Sequence, residues 1–181
     1  YGVRPRMSEQ EALSRCPEAH FAPAQMDRDA EVLLHILEVL SQHTEHIEPI
    51  TRPQAPVFLI EMPVQRRIDL IEVAQQMGSQ VRAISHQTPA IAIAPTVFTA
   101  KTVASTLQSG YVRYITPEQT VEMLSHYPLN VLPLSDGTIN RMHRLGINTV
   151  GHFADLPSKT IFTQFGREGQ VAYDLAHGRD R

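Results

Sequence analysis

The sequence predicts an α+β (mixed α/β) fold, and three observations carry that expectation. Short apolar runs alternate with amphipathic helical periods up to about residue 127. Beyond Pro128 and Pro133 every further segment reads as a short helix. Of the 181 residues, 42% are hydrophobic and 19% charged, which supports a packed core and excludes global disorder.

The elements follow in order. Ser8-Glu9-Gln10-Glu11 fits a capping box, so a helix starts after Ser8 and stops near Arg15, before Pro17. Residues 21–25 read as a loop or short edge strand. Asp27 opens a long amphipathic helix, in which Val32, Ile36, Val39 and Leu40 recur at helical spacing. Residues 47–60 read as broken strand, because Pro49, Pro53 and Pro56 interrupt the stretch before the buried-strand run Val57-Phe58-Leu59-Ile60. Residues 65–77 form a second amphipathic helix, which Gly78 is expected to end. The runs 81–85 and 90–94 read as a pair of strands. Residues 96–107 form a helix and 111–115 a strand. Thr116 then caps another helix, with Pro117 at its first position. Residues 129–134 read as a linker, which places the domain boundary between 1–128 and 129–181.

Composition excludes several classes of function. No apolar run is long enough to cross a bilayer, and the mean hydropathy is −0.20. The single cysteine, Cys16, rules out a disulfide framework and reads as a small buried residue. No secretory leader is visible, so the expected location is the cytoplasm. The first residue is Tyr1 and the last run is Gly178-Arg179-Asp180-Arg181, which reads as part of a longer protein. The net charge is −3, and residues 1–50 hold 4 basic against 9 acidic side chains. Nucleic-acid binding therefore calls for a local device and not a bulk positive field.

The tail supplies such a device. Ser135 caps a helix over Asp136–Arg144, with Ile139, Met142 and Leu145 spaced for one buried face. A turn at Leu145-Gly146-Ile147-Asn148 follows, and Thr149 caps a second helix over 150–156, ended by Pro157. Ser158 caps the next, over 159–165; Gly166 closes it, and a last helix covers 167–177. A helix, a tight glycine turn and a second helix present unpaired backbone N–H groups to a phosphate without reading base sequence. The candidate contacts are Gly146, Ile147, Asn148, Thr149 and Gly151. Gly151 is expected to let the two short helices approach, and Arg144 and Lys159 add charge. From Leu-Gly-Ile alone, a plain helix C-cap is the simpler reading; the full run through Pro157 favours the phosphate device.

The run 142–157, followed by Phe165-Gly166, Gly169 and Ala176-His177-Gly178-Arg179-Asp180, resembles the helix-hairpin-helix thumb of Y-family (translesion, UmuC-like) DNA polymerases. Tyr1-Gly2-Val3-Arg4-Pro5-Arg6-Met7-Ser8 with Glu11-Ala12 and Cys16-Pro17 resembles the fingers of that family. Ala92-Ile93-Ala94-Pro95-Thr96 through Ala100-Lys101-Thr102-Val103-Ala104-Ser105 resembles a palm strand and helix. The resemblance implies a partial palm with a fingers remnant over 1–128 and a helical thumb over 129–181. It also implies two magnesium ions held on palm carboxylates, an adjacent Asp-Glu pair among them.

That pair is missing from the sequence. In one register its place is taken by Pro53-Gln54, and in the other by Pro56-Val57. An Asn-Lys pair, whose lysine meets the incoming triphosphate in the family, is replaced by Thr96-Val97, and Arg6 stands where a glycine is usual. The pattern resembles the degenerate, non-polymerising mutagenesis-accessory branch. The expectation is a DNA-binding protein with no catalytic residues, no metal site and no cofactor, holding the DNA backbone independently of sequence and not a membrane. A sliding clamp or replicative polymerase is the partner the resemblance implies. Two alternatives stay open: a fragment of an active error-prone polymerase, which alone requires magnesium, and a protein-interaction module that ignores DNA. His43 and His46 lie three apart with no spaced third ligand and read as a solvated helix end. His143 and His152 flank the turn and read as water-facing.

Overall fold

A computed structural model describes residues 2–4, 7–21, 26–50 (side chains from 29), 56–63 and 67–180. Two compact units divide the chain, Tyr1–Leu34 and His35–Arg181.

In the first unit, helix α1 (Glu9–Arg15) is closed by the expected box: the Ser8 hydroxyl accepts from the Glu11 N–H, and Glu11 accepts from the Ser8 N–H at 2.9 Å. The Ser8 backbone N–H, and then its hydroxyl, hold the Glu11 carboxyl below its ordinary value of 4.5. A carboxyl with a lowered folded-state pKa stabilises above its unfolded value, and that contribution is lost as pH falls through the folded one. The α1 helical signal is therefore expected to fall on acidification below about 4.5. The check is an NMR titration of Glu11 against a Ser8→Ala variant, whose Glu11 should titrate closer to its ordinary value. Helix α2 (Met26–Ser41), the long helix expected from Asp27, begins in this unit and continues into the second, where Ile36 and Leu40 are buried. Residues 22–25 of the expected loop or edge strand lie outside the described residues.

In the second unit, β1 (Ile47–Ile50) pairs antiparallel with β2 (Val57–Ile60), Ile47 opposite Ile60 and Ile50 opposite Val57. The Val57–Ile60 run is half-buried throughout, not fully buried. Helix α3 (Arg67–Ser85) corrects two expectations. It runs straight through Gly78, and residues 81–85 are its last turns and not a strand. Gly78 is there for space: a Cβ on it would sit 3.3 Å from Ile91 Cδ1. Short apolar runs fit strand or helix equally well, and packing decides between them.

Strand β3 (Ile91–Ile93) consequently pairs not with 81–85 but, in parallel, with β4 (Val112–Tyr114). Parallel neighbours need a crossover, and α4 (Val97–Ala104), capped by Thr96, provides it. Helix α5 (Pro117–Ser125) has the expected Thr116 cap, with Pro117 in its first turn.

The expected linker is core. Leu129 opens a 3-10 turn (Leu129–Val131), and Leu129, Leu132 and Leu134 are all buried. They join Leu124 of α5 in one apolar cluster with Met142, Val150, Phe153, Ile161, Ala172 and Ala176. Each large side chain sealed this way contributes about 1.5–3 kcal/mol. The helices that complete the cluster are α6 (Asp136–Arg144), α7 (Val150–Ala154) and α8 (Ser158–Ala176). Ser158 is the first residue of α8 and not its cap; Pro157 holds the cap position without a side-chain hydrogen bond. At Gly166 the backbone turns to φ 54°, ψ −139°, so α8 is two helical segments meeting at a sharp break, as the sequence suggested.

Candidate nucleic-acid interface

The turn between α6 and α7 is built by a known way of ending a helix. The N–H groups of Gly146 and Ile147 reach back to the carbonyls of His143 and Met142, both at 3.0 Å. This closure requires a left-handed residue, and Gly146 supplies it at φ 79°. Nothing lies within 4 Å of the place a Gly146 side chain would occupy, so the turn faces open space.

The far side of the turn is fastened to the segment that follows α5. Pro128 and Thr149 form an antiparallel bridge, with Val150 N–H donating to Tyr127 O at 2.8 Å and Leu129 N–H donating to Asn148 O at 3.3 Å. The Thr149 hydroxyl accepts from His152 N–H and closes the start of α7. Among the described residues, no hydrogen bond takes up the backbone N–H of Asn148, Thr149 or Gly151.

The candidate contacts therefore fall into two groups. Gly146 and Ile147 shape the turn with their amides, and Asn148, Thr149 and Gly151 keep theirs available. The residue type does not reveal this split, because it depends on which carbonyls the folded turn brings within reach.

Gly151 allows a close approach, but of α7 to α5 and not of α7 to α6. A Cβ there would lie 2.9 Å from Ser125 Cβ and 3.1 Å from Ser125 O. Leu145 is not on a buried face either. It is 67% exposed, because it caps α6 beyond the last full turn and rides on the outside of the hairpin.

Two further contacts orient α6, and neither is visible in the local sequence. Glu168, just past the break in α8, accepts from the Ser135 N–H. Arg141 donates to Gln164 Oε1 at 2.8 Å, and its guanidinium lies 5.3 Å over the Phe165 ring. The helix that delivers the turn is thus gripped on both sides of Gly166.

Charge around the hairpin is sorted by these contacts. Asp174 pairs with Arg179 at 2.9 Å, Glu168 is spent on Ser135, and Asp180 accepts from Phe98 N–H at 2.8 Å. Arg144 and Lys159 are exposed and form no ion pair among the described residues. Lys159 stands in the first turn of α8, where a cation does not help the helix dipole. His143 and His152 are also exposed.

Magnesium requires hard oxygen ligands. Pro53 and Gln54 lie outside the described residues. Pro56 and Val57 stand where β2 begins, and neither side chain carries an oxygen. Among the described residues no three His, Cys, Asp or Glu side chains are grouped to hold a metal ion. Pro56 and Val57 supply none of the hard side-chain oxygens that magnesium requires. At the α4 N-terminus, Thr96 uses its hydroxyl as the helix cap, and Val97 offers an exposed apolar side chain in place of a lysine.

Solved structures share this fold. DinB from Sulfolobus solfataricus superposes with a TM-score of 0.81 at 18% identity, over 99% of this chain and 54% of that one. An insertion ternary complex of Dbh DNA polymerase gives 0.81 at 17% identity, over 99% and 53%. The fold is that of a Y-family DNA polymerase, over roughly half of its length.

In sequence, the chain is 32% identical over 182 residues to a DNA polymerase IV of Shewanella sp. (strain W3-18-1), covering 99% of this chain and 50% of the relative. The chain belongs to the impB/mucB/samB family, whose sequence pattern matches residues 1–105. It spans about half the length of the curated relatives it matches.

Proposed function

We propose that this chain is a DNA-binding, non-polymerising protein of the Y-family type that acts in damage tolerance. The observation that carries the reading is the α6–α7 hairpin: an outward turn with free amides at Asn148, Thr149 and Gly151, flanked by Arg144 and Lys159. Amides held rigidly at a turn donate to a phosphate oxygen with little ordering cost, and two cations add attraction that depends on salt. Backbone amides meet phosphate oxygens and not base edges, so the proposed binding is independent of sequence.

On this reading residues 1–128 act as a partial fingers and palm, and residues 129–181 as the thumb. In either register, Pro53-Gln54 or Pro56-Val57, no carboxylate pair stands where the family has one, which supports loss of nucleotide transfer. The protein then works by holding DNA beside a replicative polymerase or sliding clamp, in the cytoplasm at the nucleoid.

The test is fluorescence anisotropy with a labelled primer-template duplex over a range of salt. Wild-type affinity is expected to fall with a log–log slope of about −2, one unit for each of two phosphate-neutralising cations. Gly146→Asp should weaken binding by about tenfold, because it sets a carboxylate beside a phosphate. Aspartate and asparagine both tolerate the left-handed backbone, so Gly146→Asn serves as the control and should bind nearly as wild type. Binding without salt dependence, or unchanged in Gly146→Asp, would favour an interaction module. Primer extension with magnesium and deoxynucleotides would favour an active polymerase.

A further inference from the structure

We infer that Asp180 is a positioning residue: its carboxylate pins the end of the helical tail to the first turn of α4, and so sets the angle at which the hairpin meets DNA. The contact joins residues 82 apart in sequence, with the Phe98 N–H donating to Asp180 Oδ2 at 2.8 Å. The first amides of a helix have no carbonyl of their own to reach. In α4 the Thr99 amide is taken by the Thr96 hydroxyl, and the Phe98 amide is left for a distant acceptor. A carboxylate suits that place doubly, since it accepts the hydrogen bond and its charge complements the helix N-terminus.

Phe98 is also tied to the tail through its side chain, which packs on the apolar cluster. Its ring and its amide therefore hold the same junction from two directions.

The segment that delivers Asp180 is itself rigid. Arg179 N–H donates to Asp174 O at 2.9 Å, and the Arg179 guanidinium bonds the Asp174 carboxylate. Gly178 sits so close to α5 that a Cβ on it would be 2.7 Å from Thr120 Cγ2. This hook explains how an exposed aspartate at the penultimate position of the sequence keeps a defined partner. Glu168 grips α6 from the same helix that ends in the hook, so the anchor at α4 and the hairpin are connected through α8.

The consequence for DNA rests on the DNA-holding reading, whereas the anchoring itself does not. The test uses the full chain with Cys16→Ser and spin labels at Glu72→Cys on α3 and Thr163→Cys on α8, both exposed positions outside the contact. The label–label distance distribution is expected to be narrow in this background and clearly broadened by Asp180→Ala. Asp180→Asn should restore the narrow distribution, because its amide oxygen still accepts the Phe98 N–H.

Phe98 amide exchange should accelerate about tenfold in Asp180→Ala, the scale of one lost helix cap. Duplex affinity should fall several-fold with an unchanged salt slope, because no phosphate contact is removed. A distribution that stays narrow in Asp180→Ala, or that broadens equally in Asp180→Asn, overturns the inference. A wild-type chain that binds no duplex ends the DNA reading, and the label distances then decide the positioning role on their own.

Discussion

Phe153→Ala is expected to lower the unfolding free energy by about 3–5 kcal/mol. Phe153 has no exposed surface and lies in the cluster shared by α5, the 129–134 segment and the three tail helices. It is the fourth residue of the short helix α7, and a five-residue helix has almost no stability of its own. The side chain is what holds α7, and with α7 the hairpin, in place. The measurement is urea unfolding followed by circular dichroism, with duplex affinity recorded below the transition. Loss of affinity should accompany loss of stability, because the free amides at Thr149 and Gly151 are oriented by the packing beneath them. A loss under 1 kcal/mol would mean that the cluster does not close over α7 as described.

Gly151→Ala is the second large effect. One added methyl would meet Ser125 Cβ at 2.9 Å and the Ser125 carbonyl oxygen at 3.1 Å. Backbone atoms cannot rotate away as a flexible side chain can, so α7 must move from α5. Overpacking of this kind costs about 1–3 kcal/mol. The displacement falls on the bond from Val150 N–H to Tyr127 O, which fastens the turn. Faster exchange of the Val150 amide is therefore expected alongside a lower melting temperature. A double variant with Ser125→Gly should recover much of the stability, since it removes the nearest clashing atom. A stable Gly151→Ala protein with an unchanged Val150 amide would show that the approach of α7 to α5 is looser than the structure has it.

What could be read from sequence was mainly what neighbours in the chain decide. Ser8 with Glu11, Thr116 with Pro117, Ser135 and Thr149 each announce a helix start through a hydrogen bond spanning three residues, and each is found as expected. Gly146 and Gly166 also appear as breaks, because a left-handed backbone is a local demand. Gly78 looks the same on paper and behaves differently. It is a helical residue made small by Ile91, which stands thirteen positions away. Leu129, Leu132 and Leu134 were hidden in the same manner by the prolines around them. Their burial depends on helices that follow in the chain.

For the candidate site, the sequence located the hairpin and its flanking cations. It did not show which amides are free, nor that Glu168 and Arg141 hold α6 from across α8. The two grips on α6 arise only when segments twenty or more residues apart meet, and the amide split depends on the backbone geometry of the folded turn.

The buried leucines between α5 and α6 have a practical consequence for anyone cutting this molecule. A protease probing for a flexible joint would find little purchase at residues 129–134. Nor would a thumb expressed from residue 129 be a self-sufficient piece, since Leu124 would be missing from its centre. Digestion fragments and swapped chimeras should retain α5 with the tail.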